Sequence, residues 1–309
     1  MIQVALMVEG QSGLNWERWQ RMAHAAEELG FVGLYRSDHY TNPNPPDMDS
    51  LELWVSLTWL ASHTTRIEFG PMVSPVSFRQ PTMTARMAAA VDDLSNGRLV
   101  LGVGAGWQER EHTNYSWDLL PTSERLDRFE EGLQILTGLL HHQTPLSFAG
   151  KYYQLHDAVV LPPPKRGKNL PILIGGNGPE RTLPLTARYA DEWNGVFITA
   201  EKAKTLNARL DGLLEANGRG KSAVRRSLMT RVIFGRHDAD LNSLLSSEGR
   251  TAEELRAGSI VVGTATAVVD QLGKIAESGM YRVMLQWLDL DDMDRLEALA
   301  KSVLPQLRP

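Results

Sequence analysis

The chain is 309 residues long, 42% hydrophobic and 22% charged, with a formal net charge of −5. This is a globular composition with enough length for one large core. It has no cysteine, which excludes disulfides, thiolate nucleophiles and cysteine-ligated metals, and no basic block, which argues against a nucleic-acid track or an anionic membrane surface as partner. No apolar run nears the roughly 20 residues of a membrane span, and the opening MIQVALMVEG lacks a basic n-region, so a cytoplasmic protein is expected.

Short β-rich runs are predicted near 3–8, 32–36, 66–70, 98–103, 170–175, 192–197, 227–234 and 281–287. Helical patterns separate them. Asn15 is placed to cap the first helix and Gly30 to stop it. Over 81–95, Met83, Met87, Val91 and Leu94 form an apolar stripe behind Pro81, a favoured first-turn residue. Over 123–141, Leu126, Phe129, Leu133, Leu136 and Leu140 step by three and four. A last helix near 291–304 carries Leu296, Leu299 and Val303. Two intervals are too long for a simple unit: 142–169 reads as a small hairpin with a proline-rich return, and 238–263 as one extra helix and the run GSIVVG.

Strands alternating with helices eight times is the pattern of a (β/α)8 barrel. A doubly wound sheet shares the periodicity, but no GxGxxG follows the first strand. Nothing resembling a repeat or a linker divides the chain. The expectation is one α/β domain over 1–309, a (β/α)8 TIM barrel with an insertion between strands 4 and 5 and a spare segment before the last strand.

Barrel active sites lie at the C-terminal strand ends. That rule selects Glu9-Gly10, then Arg36-Ser37-Asp38-His39-Tyr40, Pro71-Met72-Val73-Ser74-Pro75 and Gly104-Ala105-Gly106-Trp107, followed by Gly175-Gly176-Asn177-Gly178, Asn194 and Trp287. The glycine turn can bring backbone N–H groups and a helix N-terminus to an anion, with Arg181 adding a bidentate contact. The alternative is a tight βα turn with a solvated Arg181. Asp38-His39 is a titratable pair where proton transfer is done. Adjacent strand residues point to opposite faces, so only one reaches the pocket unless the strand has ended, and a histidine bonded to a backbone carbonyl is the plain alternative. Glu109-x-x-His112 has the spacing of a metal pair, but it occurs once, without matching carboxylates at strand ends or an HxH at strand one, so no metal is expected. His141-His142 reads as a solvated helix terminus. Trp107, Trp193 and Trp287 fall where a flat ligand could stack.

Three stretches carry a resemblance. They are LYRSDHY at strand two, SPVSFRQPTMTARMAAAVDDLSNGRLVLGVGAGWQEREHTNY across strands three and four, and IGGNGPERTLPLTARYADEWN after strand five. Over nearly its whole length the chain resembles the luciferase-like family, also called the bacterial luciferase superfamily. The resemblance implies a flavin or deazaflavin across the barrel mouth, often in a homodimer. Its ring would rest on a bulge with a non-proline cis peptide at Pro71-Met72-Val73. The short chain is similar to the branch using coenzyme F420, with FMN the alternative. In that branch the histidine of the Asp-His pair lies beside the reactive carbon, which makes His39, Asp38 and Glu9 the catalytic candidates. The implied cofactor-binding set is Pro71, Met72, Val73, Ala105, Gly106, Trp107, Gly175, Gly176, Asn177, Gly178 and Arg181. Some deazaflavin enzymes carry a glutamate where this chain has Trp107, a departure that speaks against sugar-phosphate dehydrogenase activity. The implied function is hydride transfer between F420 and a small organic substrate, the alternative an FMN-dependent monooxygenase. A non-catalytic flavin-binding relative would have lost the strand-two pair or the strand-five glycines, and neither is lost. Loops 40–50, 108–120 and 142–169 would set the substrate.

Overall fold

The structure, a computed structural model, describes residues 2–142 and 144–307. Met1 and Gln143, which fall within the opening run and the 142–169 interval, lie outside the described residues. The strands are β1 (Gln3–Val8), β2 (Gly33–Arg36), β3 (Glu68–Pro71), β4 (Ser74–Pro75), β5 (Leu101–Gly104), β6 (Leu146–Ala149), β7 (Gln154–Ala158), β8 (Ile172–Gly175), β9 (Glu192–Val196), β10 (Arg225–Phe234), β11 (Val261–Gly263) and β12 (Arg282–Gln286). The helices are α1 (Trp16–Glu28), α2 (Leu53–His63), α3 (Pro81–Leu94), α4 (Glu109–Asn114), α5 (Thr122–His141), α6 (Thr182–Tyr189), α7 (Ala200–Ala216), α8 (Asp238–Glu248), α9 (Ala252–Ala257), α10 (Ala265–Glu277) and α11 (Met293–Leu307).

Parallel pairing runs β3-β2-β1-β12-β10-β9-β8-β5-β4. β3 and β4 are two halves of one stave, separated at Met72–Val73, where the peptide bond is cis. A parallel bridge between Phe69 and Leu99 joins this stave to the approach of β5, and the Val100 N–H donates to the Phe69 carbonyl at 2.8 Å. The ring therefore closes with eight staves, each where the sequence places a strand. Glycine permits the closure, because a Cβ at Gly70 would collide with the Val100 carbonyl and one at Gly102 with that of Pro71.

Alternation along each stave divides the core in two. Val4, Leu6 and Val8 face the helix layer, while Ala5 and Met7 point into the lumen with Tyr35, Met72, Val100, Leu173, Met229 and Met284. The N-terminal end of the barrel is plugged by charge. Arg282 donates to the Tyr35 hydroxyl at 2.6 Å and to Glu68 at 2.5 Å, and Arg225 pairs with the fully buried Glu192 at 3.1 Å.

The helices follow their sequence signals with two corrections. Asn15 caps α1 by accepting the Arg18 N–H, and Gly30 takes a φ of 91° just beyond the helix. α5 buries Phe129, Leu133, Leu136 and Leu140. α3, however, exposes Met83 and Leu94; it buries Val91 of the expected stripe together with Thr84, Ala85, Ala88, Ala89 and Asp92. Its alanine face lets α3 lie close against its neighbours, which its methionine stripe could not. The spare segment holds two helices rather than one. Gly249, left-handed at φ 63°, ends α8, and a capping box of Thr251 and Glu254 starts α9. The 142–169 interval contains the antiparallel β6–β7 hairpin.

Candidate active site

The C-terminal stave ends surround a cavity of about 560 Å³. Met7, Met72, Val73 and Met229 give it an apolar lining, and its polar groups come from Glu9, Ser37, His39 and Glu111. β2 ends at Arg36, and the chain turns outward so that His39 reaches this space. Its Nδ1–H donates to Glu111 Oε1 at 2.8 Å. The second Glu111 oxygen accepts the Tyr40 N–H at 3.1 Å, and the carboxylate is only 1% exposed. With Nδ1 committed to Glu111, Nε2 is the ring nitrogen left for the cavity. Burial by itself lowers the His39 pKa, but the Glu111 bond and the charges of Glu111, Glu9 and Asp38 outweigh it, and the net direction is up.

Glu9 lines the cavity from the end of β1. It accepts from Gln286 Nε2 at 2.6 Å and from Gln11 Nε2 at 3.0 Å. Trp107, 60% exposed at the end of β5, meets the His39 ring edge-on with centroids 5.4 Å apart. Ala105, Gly106, Gly175 and Gly176 complete the glycine-rich side of the lining, and Phe197 and Val196 close it from β9.

Several expected site residues do other work. Asp38, two residues beyond the end of β2, does not line the cavity. It accepts from Arg79 at 2.5 Å and from the Ser74 hydroxyl at 2.8 Å, while Arg79 also donates to the Tyr40 hydroxyl and to Glu52. Asp38 thus braces the end of β2 against β4 and does not touch the cavity. Pro71 is buried within the third stave, behind Met72 and Val73, which do line the cavity. Arg181 was expected at a phosphate. Instead it donates to Asp127 of α5 at 2.6 Å in an exposed pair. Gly178 lies against Thr182, where a Cβ would come within 2.9 Å of its hydroxyl. Asn177 grips the end of β9: its Oδ1 accepts the Val196 N–H at 2.9 Å and its Nδ2 donates to the Val196 carbonyl at 2.7 Å.

Trp193 is fully buried, with its N–H on the Gly176 carbonyl, and Trp287 is buried with its N–H on the Asp289 carbonyl. Of the three tryptophans placed at strand ends, Trp107 alone presents itself to a ligand. His112 donates from Nδ1 to the Gln108 carbonyl at 2.6 Å and accepts the Ser77 hydroxyl at Nε2, at 2.8 Å, so it makes no pair with Glu109. His141 is not simply solvated, since its Nε2 bonds the Leu170 carbonyl at 2.9 Å and ties α5 to the approach of β8. Among the described residues no three histidine or acidic side chains converge as metal ligands.

These residues fit a flat tricyclic ring. The lining is apolar where a ring would lie, and its glycine edge cannot be filled, since a Cβ at Gly104 would come within 2.7 Å of Val73 Cγ2. One titratable ring, that of His39, meets the cavity with Nε2 while its Nδ1 is held by Glu111.

A family model described as luciferase-like monooxygenase matches residues 2–248. An F420-dependent glucose-6-phosphate dehydrogenase of Kineococcus radiotolerans is 30% identical over 216 residues, which cover 68% of this chain and 61% of that protein. The chain spans 53–61% of the length of such curated relatives. Two solved structures share the fold. An F420-dependent secondary alcohol dehydrogenase in complex with an F420-acetone adduct superposes with a TM-score of 0.83 at 16% identity, over 100% of this chain and 99% of the other. A monooxygenase from Streptomyces bottropensis gives 0.82 at 16% identity, over 99% and 100%.

Proposed function

Since the chain belongs to the luciferase-like monooxygenase family, we propose that it is an F420-dependent oxidoreductase that transfers a hydride between the deazaflavin and a small organic substrate. The observation that carries this reading is His39. Its Nδ1 is locked to buried Glu111 and its Nε2 is left for an apolar cavity beside a glycine edge. Hydride transfer to a carbonyl-type group needs a proton at the heteroatom, and the Glu111 bond, which raises the His39 pKa, favours the form of the ring that carries one to give. The F420-dependent relative from Kineococcus radiotolerans supports the choice of carrier.

Met72 and Val73 would support the ring, with Ala105, Gly106, Gly175 and Gly176 along its edge. Backbone N–H groups of the turn before α6 would face the anionic tail. When bound, a reduced 5-deazaflavin supplies two electrons as a hydride, without a one-electron route to oxygen. The chain's part is to orient that ring, keep water from it and present a proton from Nε2 of the His39 imidazolium, while Glu111 orients the imidazole and stabilises its charged form and Glu9 adds negative charge nearby.

The family description and the Streptomyces bottropensis neighbour favour a second reading, an FMN-dependent monooxygenase. Fluorescence titration of the protein with F420 and with FMN separates them. Tighter binding of F420, with hydride exchange and no oxygen uptake, supports the proposal. Tighter FMN binding with substrate-dependent oxygen uptake rejects it.

A further inference from the structure

The charges and aromatic rings around the cavity point to a class of substrate. We infer that the site accepts an uncharged, largely apolar and flat compound with one carbonyl or imine acceptor, excludes anions, and uses Phe197 as the wall that selects it. This rests on the hydride-transfer reading for its place in a reaction, but the cavity's charge and shape belong to the chain alone.

Charge comes first. Among the described residues no lysine or arginine lines the cavity, whereas two carboxylates, Glu9 and Glu111, do. Arginines on the surrounding elements are already committed: Arg79 to Asp38 and Glu52, Arg110 to Asp47, Arg231 to Glu248 and Arg295 to Asp292. An anionic substrate would be desolvated beside two negative groups with His39 as its sole cationic partner. Hydrogen-bonding capacity is equally narrow. Glu9 is occupied by Gln11 and Gln286 and Glu111 by His39 and Tyr40, which leaves His39 Nε2 to meet a single substrate heteroatom. Ring and substrate share about 560 Å³, which bounds the substrate to a small molecule.

Phe197 supplies the shape. It follows β9, four staves round the ring from β2, so it faces His39 across the mouth. Its φ is +48°, a left-handed conformation that bulky side chains avoid. Such a conformation persists only where the surroundings over-determine it. Here the Asn177 side chain holds both the N–H and the carbonyl of Val196, and the Phe197 N–H donates to Met229 at 3.0 Å. The result is a phenyl ring 39% exposed against the cavity instead of folded into the core. Asn177 is thereby a positioning residue for the wall, and Trp107 borders the same space from β5. Two aromatic surfaces and one donor suit a planar, uncharged group.

The test uses an isosteric pair, 1-acetylcyclohexene and cyclohex-1-ene-1-carboxylate, titrated by tryptophan fluorescence against F420-loaded protein and against protein without cofactor. The neutral compound should bind at least tenfold more tightly in both. Phe197→Gly relieves the backbone strain, so it should keep or raise Tm while weakening the neutral compound at least fivefold. Asn177→Ala should weaken it similarly with Phe197 in place. Equal or tighter binding of the carboxylate overturns the inference, as does a Phe197→Gly protein that loses Tm but keeps affinity. If F420 does not bind while the neutral preference persists without cofactor, the hydride-transfer reading fails and the selectivity stands. If F420 binds and the preference is absent, the selectivity fails alone.

Discussion

His39 and Glu111 are 2.8 Å apart, with the carboxylate sealed from solvent, and this pair sets how the site responds to pH. Because the His39 pKa is raised, its protonated form is present below that value and lost as pH rises through it. A reaction drawing on the Nε2 proton should therefore fall on the alkaline side. Glu111→Gln keeps a hydrogen-bond acceptor but removes the charge, so the alkaline limb should move to lower pH, measured as kcat/KM against pH. An unmoved limb would detach His39 from the profile. His39→Asn should cost about 10²–10⁴-fold in turnover with cofactor affinity kept. The strand-end rule points to His39, Glu9 and Trp107 from the sequence, and all three line the cavity. Glu111 escaped it because it sits on α4, beyond the stave, in the stretch where Glu109 and His112 draw attention by their metal-like spacing. The burial of Glu111 and His112 with Glu109 outside distinguishes them, and that depends on how α4 packs.

At the scale of elements, the turn from β8 to α6 combines two roles that sequence cannot separate. Gly175 and Gly176 face the cavity, but Asn177 faces β9 and Arg181 faces α5. Since exposed ion pairs contribute little and Arg181 is already in one, Arg181→Ala should change the cofactor Kd less than about threefold. A larger loss in a direct titration would place the guanidinium on the cofactor after all. α3 shows the limit of periodicity in another way. Hydrophobic spacing counts methionine and alanine alike, whereas packing distance favours the smaller side chain, and so the face holding Ala85, Ala88 and Ala89 turned inward. Eight strands could be located because each is a short apolar run bounded by turn residues. The Phe69–Leu99 bridge that makes them a barrel joins residues 30 apart and leaves no local pattern.

Across the whole molecule, the two ends of the barrel divide the labour. Chemistry-bearing groups gather at the C-terminal mouth, and the opposite end is held by Arg282, Arg225, Glu68, Glu192 and Tyr35. Removing one partner from such a buried set leaves the others without compensation. Arg282→Met should lower the free energy of unfolding by about 3–5 kcal/mol, read from urea denaturation, without changing cofactor affinity in the folded protein. A loss below about 1 kcal/mol would show the cluster to be replaceable by apolar packing.

β12 lies between β1 and β10, paired at five positions with each. The ring is thus completed by a keystone that is synthesised after every other stave. Until residue 286 emerges, a nascent chain holds two open strand edges, and Glu9 lacks the Gln286 amide that steadies it from 277 positions away. Contacts that distant in sequence are slow to form, and unpaired edges are templates for association with other chains. Yield in the cell should therefore depend on how long those edges stay open, so that synonymous slowing of translation just before β12 lowers soluble protein without altering a single side chain.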